Sequence, residues 1–305
     1  MVDAPTSATF TAAVTLSETE PEHYDAAYVA VTQACPWPKA YGGDLVAAAA
    51  AAAMRTVPDA EEGGKSLHSM HSYFMRPADI GAGVTYEVER LRDGRGYSTR
   101  HVRGYQNGKP VYVALASFAA GEQGGSFAPQ QPDVPAPETL PSAATYLADR
   151  SGGTMTEESK AYWSGGRSFD MRHLPGPVYL SVEGEQAPHQ AVWIRPYDGL
   201  RDVPGLSRAQ RDLAALAYVC DYTILEPVLR MLDLPWARPG LVTASLDHAM
   251  WFHSVPVEGA LDDWLLYVQD AGHAASGRGV GQGRFFTRDG RHLATVVQEG
   301  MIRAS

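Results

Sequence analysis

Cysteine is nearly missing from this chain: 305 residues contain two, Cys35 and Cys220. Two thiols allow neither a disulfide framework nor a zinc-type ligand spacing, and a reducing cytoplasm is the expected compartment. Long hydrophobic runs are also missing, since no stretch reaches the ~18 apolar residues of a membrane-spanning helix. The N-terminus has no basic-then-apolar signal. The last residues, Arg303-Ala304-Ser305, are not a peroxisomal tripeptide. Positive charge is scarce, with 25 Lys and Arg against 35 Asp and Glu, a net charge of −10 and a pI near 5.4. That balance excludes nucleic acid as the main partner.

Familiar catalytic signatures are lacking too. There is no G-x-S-x-G elbow for an activated serine. The glycines of Gly277-Arg-Gly279-Val-Gly281-Gln-Gly283 never fall at G-x-G-x-x-G and lie between strands, so they make no dinucleotide site. His68 and His71 are an odd number of residues apart, as are His248 and His253. On a strand each pair therefore points to opposite faces, which is wrong for a shared metal. Nothing calls for a metal or a cofactor.

What is present is a run of β-rich segments around two helices. Strands are expected over residues 9–16 and 28–33. A helix follows through Leu45, Val46 and seven alanines at 47–53, ended by Pro58. Four strands come next, at 67–76, 84–91, 97–105 and 110–118, with Asn107-Gly108 as a hairpin turn. From Gly121 to about Pro141 the composition shifts to Gly, Gln, Pro and Glu, with prolines at 129, 132, 135, 137 and 141; this reads as a linker along the surface. A short helix is expected at 143–149 and a loop at Gly165-Gly166. Strands at 169–174 and 191–195 precede a helix whose capping box, Ser207-Arg-Ala-Gln210, marks its start. It runs toward Met231, bent or broken at Pro227. Residues 241–303 read as four antiparallel strands in a meander, with Asp289-Gly290 as a tight turn.

The order strand, helix, four strands thus occurs twice. Asn107-Gly108 matches Asp289-Gly290, residues 71–74 match 249–252, and Tyr41-x-x-Asp44 matches Tyr218-x-x-Asp221. An internal duplication follows, each half being one long helix wrapped by an antiparallel sheet.

Three polar residues stand out. On the last strand Gln298 shares a face with Ala294, Val296, Gly300 and Ile302, and a buried amide without partners costs roughly 1–3 kcal/mol. Asp221 has Ala217, Tyr218, Ile224 and Leu225 as its helix neighbours, so no Lys or Arg is placed to pair with it. The alternatives are a solvent-facing aspartate and a structural amide bonded to backbone. Ser245, next to Leu246-Asp247-His248, reads in isolation as ordinary strand filler.

Taken together, Tyr41-Gly-Gly43, residues 67–77, 86–94 and 106–110, and in the second half residues 189–195, 217–221, 245–253, 275–276 and 297–300, carry a family resemblance. The chain resembles acyl-CoA thioesterase II, a double hot-dog family, over nearly its whole length apart from the termini and linker. The resemblance implies an α+β double hot-dog fold, with repeats at 1–120 and 166–305 joined by a linker at 121–165. It implies hydrolysis of acyl-CoA thioesters by activated water, without a covalent intermediate. The catalytic set falls on Asp221, Ser245 and Gln298, and substrate binding on Gly42, Gly43, Tyr73 and Trp251. Acyl-CoA is then the partner, and further homo-oligomeric association is expected. Two positions depart from the pattern: Ser245, where the family usually has threonine, and Asp44, where it commonly has Gln.

In the first half Asp44 stands where Asp221 does, but Ala116 replaces Gln298 and Leu67 falls near Ser245. The spacings correspond, 116 − 44 = 72 against 298 − 221 = 77. The basic run Arg90, Arg92, Arg95, Arg100 and Arg103 is either a coenzyme A phosphate contact or a solvated strand face. Two further functional readings stand beside hydrolysis. One is a non-catalytic acyl-CoA binding or sensing protein on the same fold. The other is a hot-dog dehydratase, which needs a His paired with Asp or Glu, and no such motif is visible.

Overall fold

The computed structural model describes residues 5–60, 63–121, 124–148, 155–253 and 259–304. The first element is a helix, α1 (Ala8–Val14), where a strand was expected. Phe10, Ala13 and Val14 are its buried residues, and that i, i+3, i+4 spacing is helical. Its β-branched residues suggested extended backbone. Here the hydroxyls of Thr11 and Thr15 donate to carbonyls one turn back, at Ser7 and Thr11.

Strands β1 (Ser17–Thr19) and β2 (Ala26–Val31) lead to helix α2 (Gly42–Met54), then β3 (Ser66–Phe74), β4 (Gly83–Asp93), β5 (Tyr97–Gln106) and β6 (Lys109–Ala119). Asn107 and Gly108 join β5 to β6 with φ of 52° and 70°, the left-handed pair that this two-residue turn requires. The linker runs over the outer face of the second repeat. Val134 and Leu140 pack on Trp193, Trp264 and Phe286, and the carbonyls of Pro135 and Pro137 accept from Trp193 and Arg172.

Helices α3 (Ala143–Ala148) and α4 (Glu157–Ala161) follow, and α4 continues into a π turn, Tyr162–Gly166, where a loop was expected. The second repeat holds β7 (Phe169–Leu174), β8 (His189–Pro196), α5 (Arg208–Val219) and α6 (Glu226–Met231). Both bonds of the Ser207/Gln210 capping box form. The expected single helix to Met231 breaks before Pro227: a 3-10 turn, Cys220–Tyr222, ends α5, and Pro227 sits in the first turn of α6, where its missing N–H costs nothing. Five strands close the chain: β9 (Leu241–Ser245), β10 (Asp247–Phe252), β11 (Leu265–Ala275), β12 (Arg278–Thr287) and β13 (His292–Ala304).

The sheet order is β1-β2-β4-β5-β6-β3-β10-β13-β12-β11-β8-β7, antiparallel throughout, with β9 also pairing β13. The meander reading therefore needs correcting. Short turns fix β11, β12 and β13 side by side. The longer connection from β10 to β11 lets β10 lie beyond β13, against β3 of the other repeat. Residues 241–253 also form two strands, parted at Leu246, whose N–H donates to Glu299 O while its carbonyl accepts from Phe74 N–H.

The junction of β3 and β10 displays the duplication. Met70 pairs Met250 and Ser72 pairs His248. Matching 71–74 with 249–252 is an offset of 178, which carries 70 onto 248 and 72 onto 250. Each pair is thus the image of the other about a two-fold through His71 and Ala249.

The repeats close helix onto sheet by opposite means. In the first, the alanines of α2 are buried throughout, and the thin helix accepts bulky Tyr86, Val88 and Tyr112 from the sheet. In the second, the bulk is on the helical side and the sheet is thinned. A Cβ on Gly281 would lie 2.1 Å from Ile224 O, and one on Gly300 would lie 2.3 Å from Leu225 Cδ1. This explains the glycine-rich segment that matched no nucleotide motif.

Candidate active site

Asp221 lies in the 3-10 turn that ends α5, beside the start of α2 from the other repeat. Its Oδ1 accepts from Ser245 Oγ at 2.8 Å and from Gln298 Nε2 at 2.6 Å, and Gln298 Nε2 also reaches Ser245 Oγ at 3.0 Å. The three candidates therefore form one hydrogen-bonded triangle, drawn from a helix end and two strands. Ser245 pairs with Gly300 at the last residue of β9, and the irregularity at Leu246 directs its hydroxyl inward. Gln298 is fully buried on the inner face of β13, the face that the alternation indicated.

The second carboxylate oxygen meets the opening of α2. The Gly43 backbone N–H hydrogen-bonds the carboxylate, and a Cβ on Gly42 would lie 2.5 Å from Asp221 Oδ2 and 3.1 Å from the Phe74 ring. The first N–H groups of a helix have no intrahelical acceptor and carry its positive dipole end. Burial pushes the Asp221 carboxyl up to about 6, against the opposing pull of Gln298, Ser245 and Gly43. The residue as a whole still keeps some exposure.

Gly42 and Gly43 are thus brought to Asp221, whereas Tyr73 and Trp251 are not. Tyr73 stands on the outer face of β3 and is 61% exposed; Trp251, on the outer face of β10, meets His71 edge-to-face at 5.0 Å. The neighbouring Phe74 points inward and takes the place at the site. Tyr41, stacked on Tyr222 at 4.2 Å and bonded to Tyr218 O, fixes the chain just before Gly42.

The first repeat has no matching triangle. Asp44 Oδ2 accepts from the Gln33 backbone at 2.7 Å, while Oδ1 is buried without a partner. Burial raises this carboxyl to about 7, with the nearby Asp221 adding to the rise. Arg100 of the basic run is buried and bound to Thr56, Asp93 and the Arg92 carbonyl, so it holds the fold and meets no phosphate.

Two relationships were invisible in the sequence. His248 Nδ1 lies 3.0 Å from Gln298 Oε1. His173 Nε2 lies 3.0 Å from Glu226 Oε2, with side chains 2% and 0% exposed. That is a His–carboxylate pair of the kind the sequence did not show, and the Glu226 carboxylate also accepts from Gln190 Nε2 and Trp236 Nε1. Among the described residues no group of three or more His, Cys, Asp or Glu is placed to hold a metal ion, and no helix is long and apolar enough to cross a membrane.

An antiparallel sheet wrapped twice around central helices defines an α+β double hot-dog protein, with a polar triangle at the junction of its repeats. Comparison with known proteins narrows the class. Residues 33–119 match the model of the acyl-CoA thioesterase N-terminal domain, and residues 132–302 that of the acyl-CoA thioesterase C-terminal domain. The chain is 32% identical over 268 residues to acyl-CoA thioesterase 2 of Haemophilus influenzae, covering 87% of this chain and 88% of that one. It is 32% identical over 283 residues to acyl-coenzyme A thioesterase 8 of Homo sapiens, covering 88% and 82%. The crystal structure of an acyl-CoA thioesterase II from Mycobacterium marinum superposes with a TM-score of 0.71 at 30% identity over 97% of both chains. The chain belongs to the acyl-CoA thioesterase family.

Proposed function

We propose that Asp221, Ser245 and Gln298 hydrolyse acyl-CoA thioesters to free fatty acid and coenzyme A through an activated water. The observation that carries this reading is the convergence of Ser245 Oγ and Gln298 Nε2 on one oxygen of a carboxylate that burial has made more basic. Asp221 is the general base, and the two donors hold it and orient the water. Proton transfer to Asp221 accompanies attack on the thioester carbon. The oxyanion forms near the start of α2, where the helix dipole favours negative charge. Collapse breaks the C–S bond, and the proton held by Asp221 returns to the departing thiolate. A thiolate leaves easily, so no covalent enzyme intermediate is needed.

The test is release of free thiol from a panel of acyl-CoAs by the native chain and by Asp221→Asn, Ser245→Ala and Gln298→Ala. Turnover by the native chain with large losses in all three variants is expected. Tight acyl-CoA binding without turnover at any chain length overturns the reading in favour of a binding or sensing protein.

A further inference from the structure

The role given to Gln298 needs its amide to present nitrogen, not oxygen, to Asp221 and Ser245. A primary amide is nearly symmetric in shape, and rotation by half a turn would set its carbonyl against the carboxylate. An ionised Asp221 only accepts, so the carboxylate by itself favours the nitrogen. Something on the far side of the amide can reinforce that choice and hold the plane of the amide.

That something is the imidazole of His248. Gln298 Oε1 lies 3.0 Å from its Nδ1, and both residues are buried. The contact is attractive only if Nδ1 carries hydrogen. Nε2 is then left as an acceptor, and its neighbour is the Cys220 thiol at 3.8 Å, a weak donor that also reaches Ala217 O. Ser72 of the opposite repeat holds the His248 backbone, donating to its carbonyl at 3.1 Å. Burial, with a smaller effect from His71, lowers the imidazole to about 4, so the ring is neutral across the working range. Protonation at lower pH would still leave a hydrogen on Nδ1.

The internal repeat supplies an independent argument. The offset of 178 carries His248 onto Met70 (248 − 178 = 70). The offset of 182 between the hairpin turns (289 − 107) carries Gln298 onto Ala116. In the first repeat Met70 and Ala116 are paired neighbours on β3 and β6. The same place in the fold is therefore filled by an apolar pair where there is no triangle. Where the triangle exists, both members are polar and bonded to each other. The fold does not demand a histidine there.

We propose that His248 is a positioning residue. Its Nδ1–H holds the Gln298 carbonyl and thereby locks the amide nitrogen onto Asp221 and Ser245. This rests on the catalytic reading of Gln298 given above. His248 is buried behind the glutamine and acts through it.

The test pairs two substitutions with a thermodynamic cycle. His248→Met installs the residue of the first repeat, filling the space without a donor; His248→Asn returns an N–H close to the place of Nδ1. With acyl-CoA as substrate, His248→Met is expected to lower kcat about 10- to 100-fold with little change in KM, the cost of a misoriented group. His248→Asn is expected to recover most of that loss. In a Gln298→Ala background His248→Met should change kcat less than twofold, because no amide is left to orient. Nitrogen NMR of the histidine rings should report the Nδ1–H tautomer for His248. Full activity of a folded His248→Met, losses that multiply in the double variant, or an Nε2–H tautomer would each overturn the proposal. If Gln298→Ala itself keeps full activity, the catalytic reading falls and this proposal with it. If only the His248 variants are silent, the catalytic reading stands.

Discussion

Gly42 and Asp221 come from different repeats, yet they approach so closely that a single methyl group on the glycine would lie 2.5 Å from the carboxylate. Real Cβ atoms do not tolerate that distance, and the neighbouring Phe74 ring at 3.1 Å blocks the obvious escape. Gly42→Ala is expected to displace either Asp221 or the opening turn of α2. Either shift moves the base relative to the N–H groups it works with. Steady-state kinetics should show kcat reduced at least about 10-fold, with a modest loss of thermal stability from overpacking.

In the proposed role Asp221 must be ionised to accept a proton, so its raised pKa would set the acid limb of the rate. With the Asp221 carboxyl at about 6, log kcat/KM should be flat at neutral pH and fall about one unit per pH unit below 6. Asp221→Asn should lower kcat by about 10³-fold and abolish that limb. A limb at the ordinary aspartate range, near pH 4, would contradict the assignment.

Asp44 offers a stability measurement independent of activity. Its folded pKa, about 7, lies above the ordinary aspartate value of 3.8, so the folded chain holds this proton more tightly than the unfolded chain. The resulting stabilisation is complete below pH 3.8 and is lost as pH rises through 7. By linkage the loss amounts to about 4 kcal/mol. Asp44→Asn escapes it, so the variant should melt a few degrees above the native chain at pH 8. The gap should narrow at pH 5, as followed by calorimetry. Turnover should survive the change.

Ser245 donates to Asp221 and accepts from Gln298, and a threonine hydroxyl can do the same with a stiffer χ1. Ser245→Thr is therefore expected to keep kcat within about threefold, whereas Ser245→Ala should lower it about 10- to 100-fold by removing one oriented donor. Comparing the two on one acyl-CoA separates loss of the hydroxyl from loss of shape.

Features legible in the sequence were those decided locally or by period. Ser207 and Gln210 announced their capping box, Asn107-Gly108 its turn, and the alternation along β13 put Gln298 inside. Asp221 was legible as an unpaired carboxylate, and its partners came from resemblance. Contacts closed between elements far apart in the chain were hidden: His248 and Gln298 are 50 residues apart, and His173 and Glu226 are 53 (226 − 173). The place of β10 was hidden for the same reason, because its partner β3 belongs to the other repeat. At α1 the β-branched threonines outweighed a helical spacing too short to stand out.

The two-fold through His71 and Ala249 has a consequence for how such a molecule can diverge. Two identical chains meeting about that axis would have to carry the same residue at both related positions, so any change would appear twice. Joining the halves into one polypeptide lifts that obligation. Position 70 can then become purely a packing residue while position 248 takes up a polar partner. One repeat can thin its helix with alanines and the other its sheet with glycines, without either solution being copied. Covalent fusion is what permits the two halves to differ here: one keeps an apolar pair where the other holds a polar triangle.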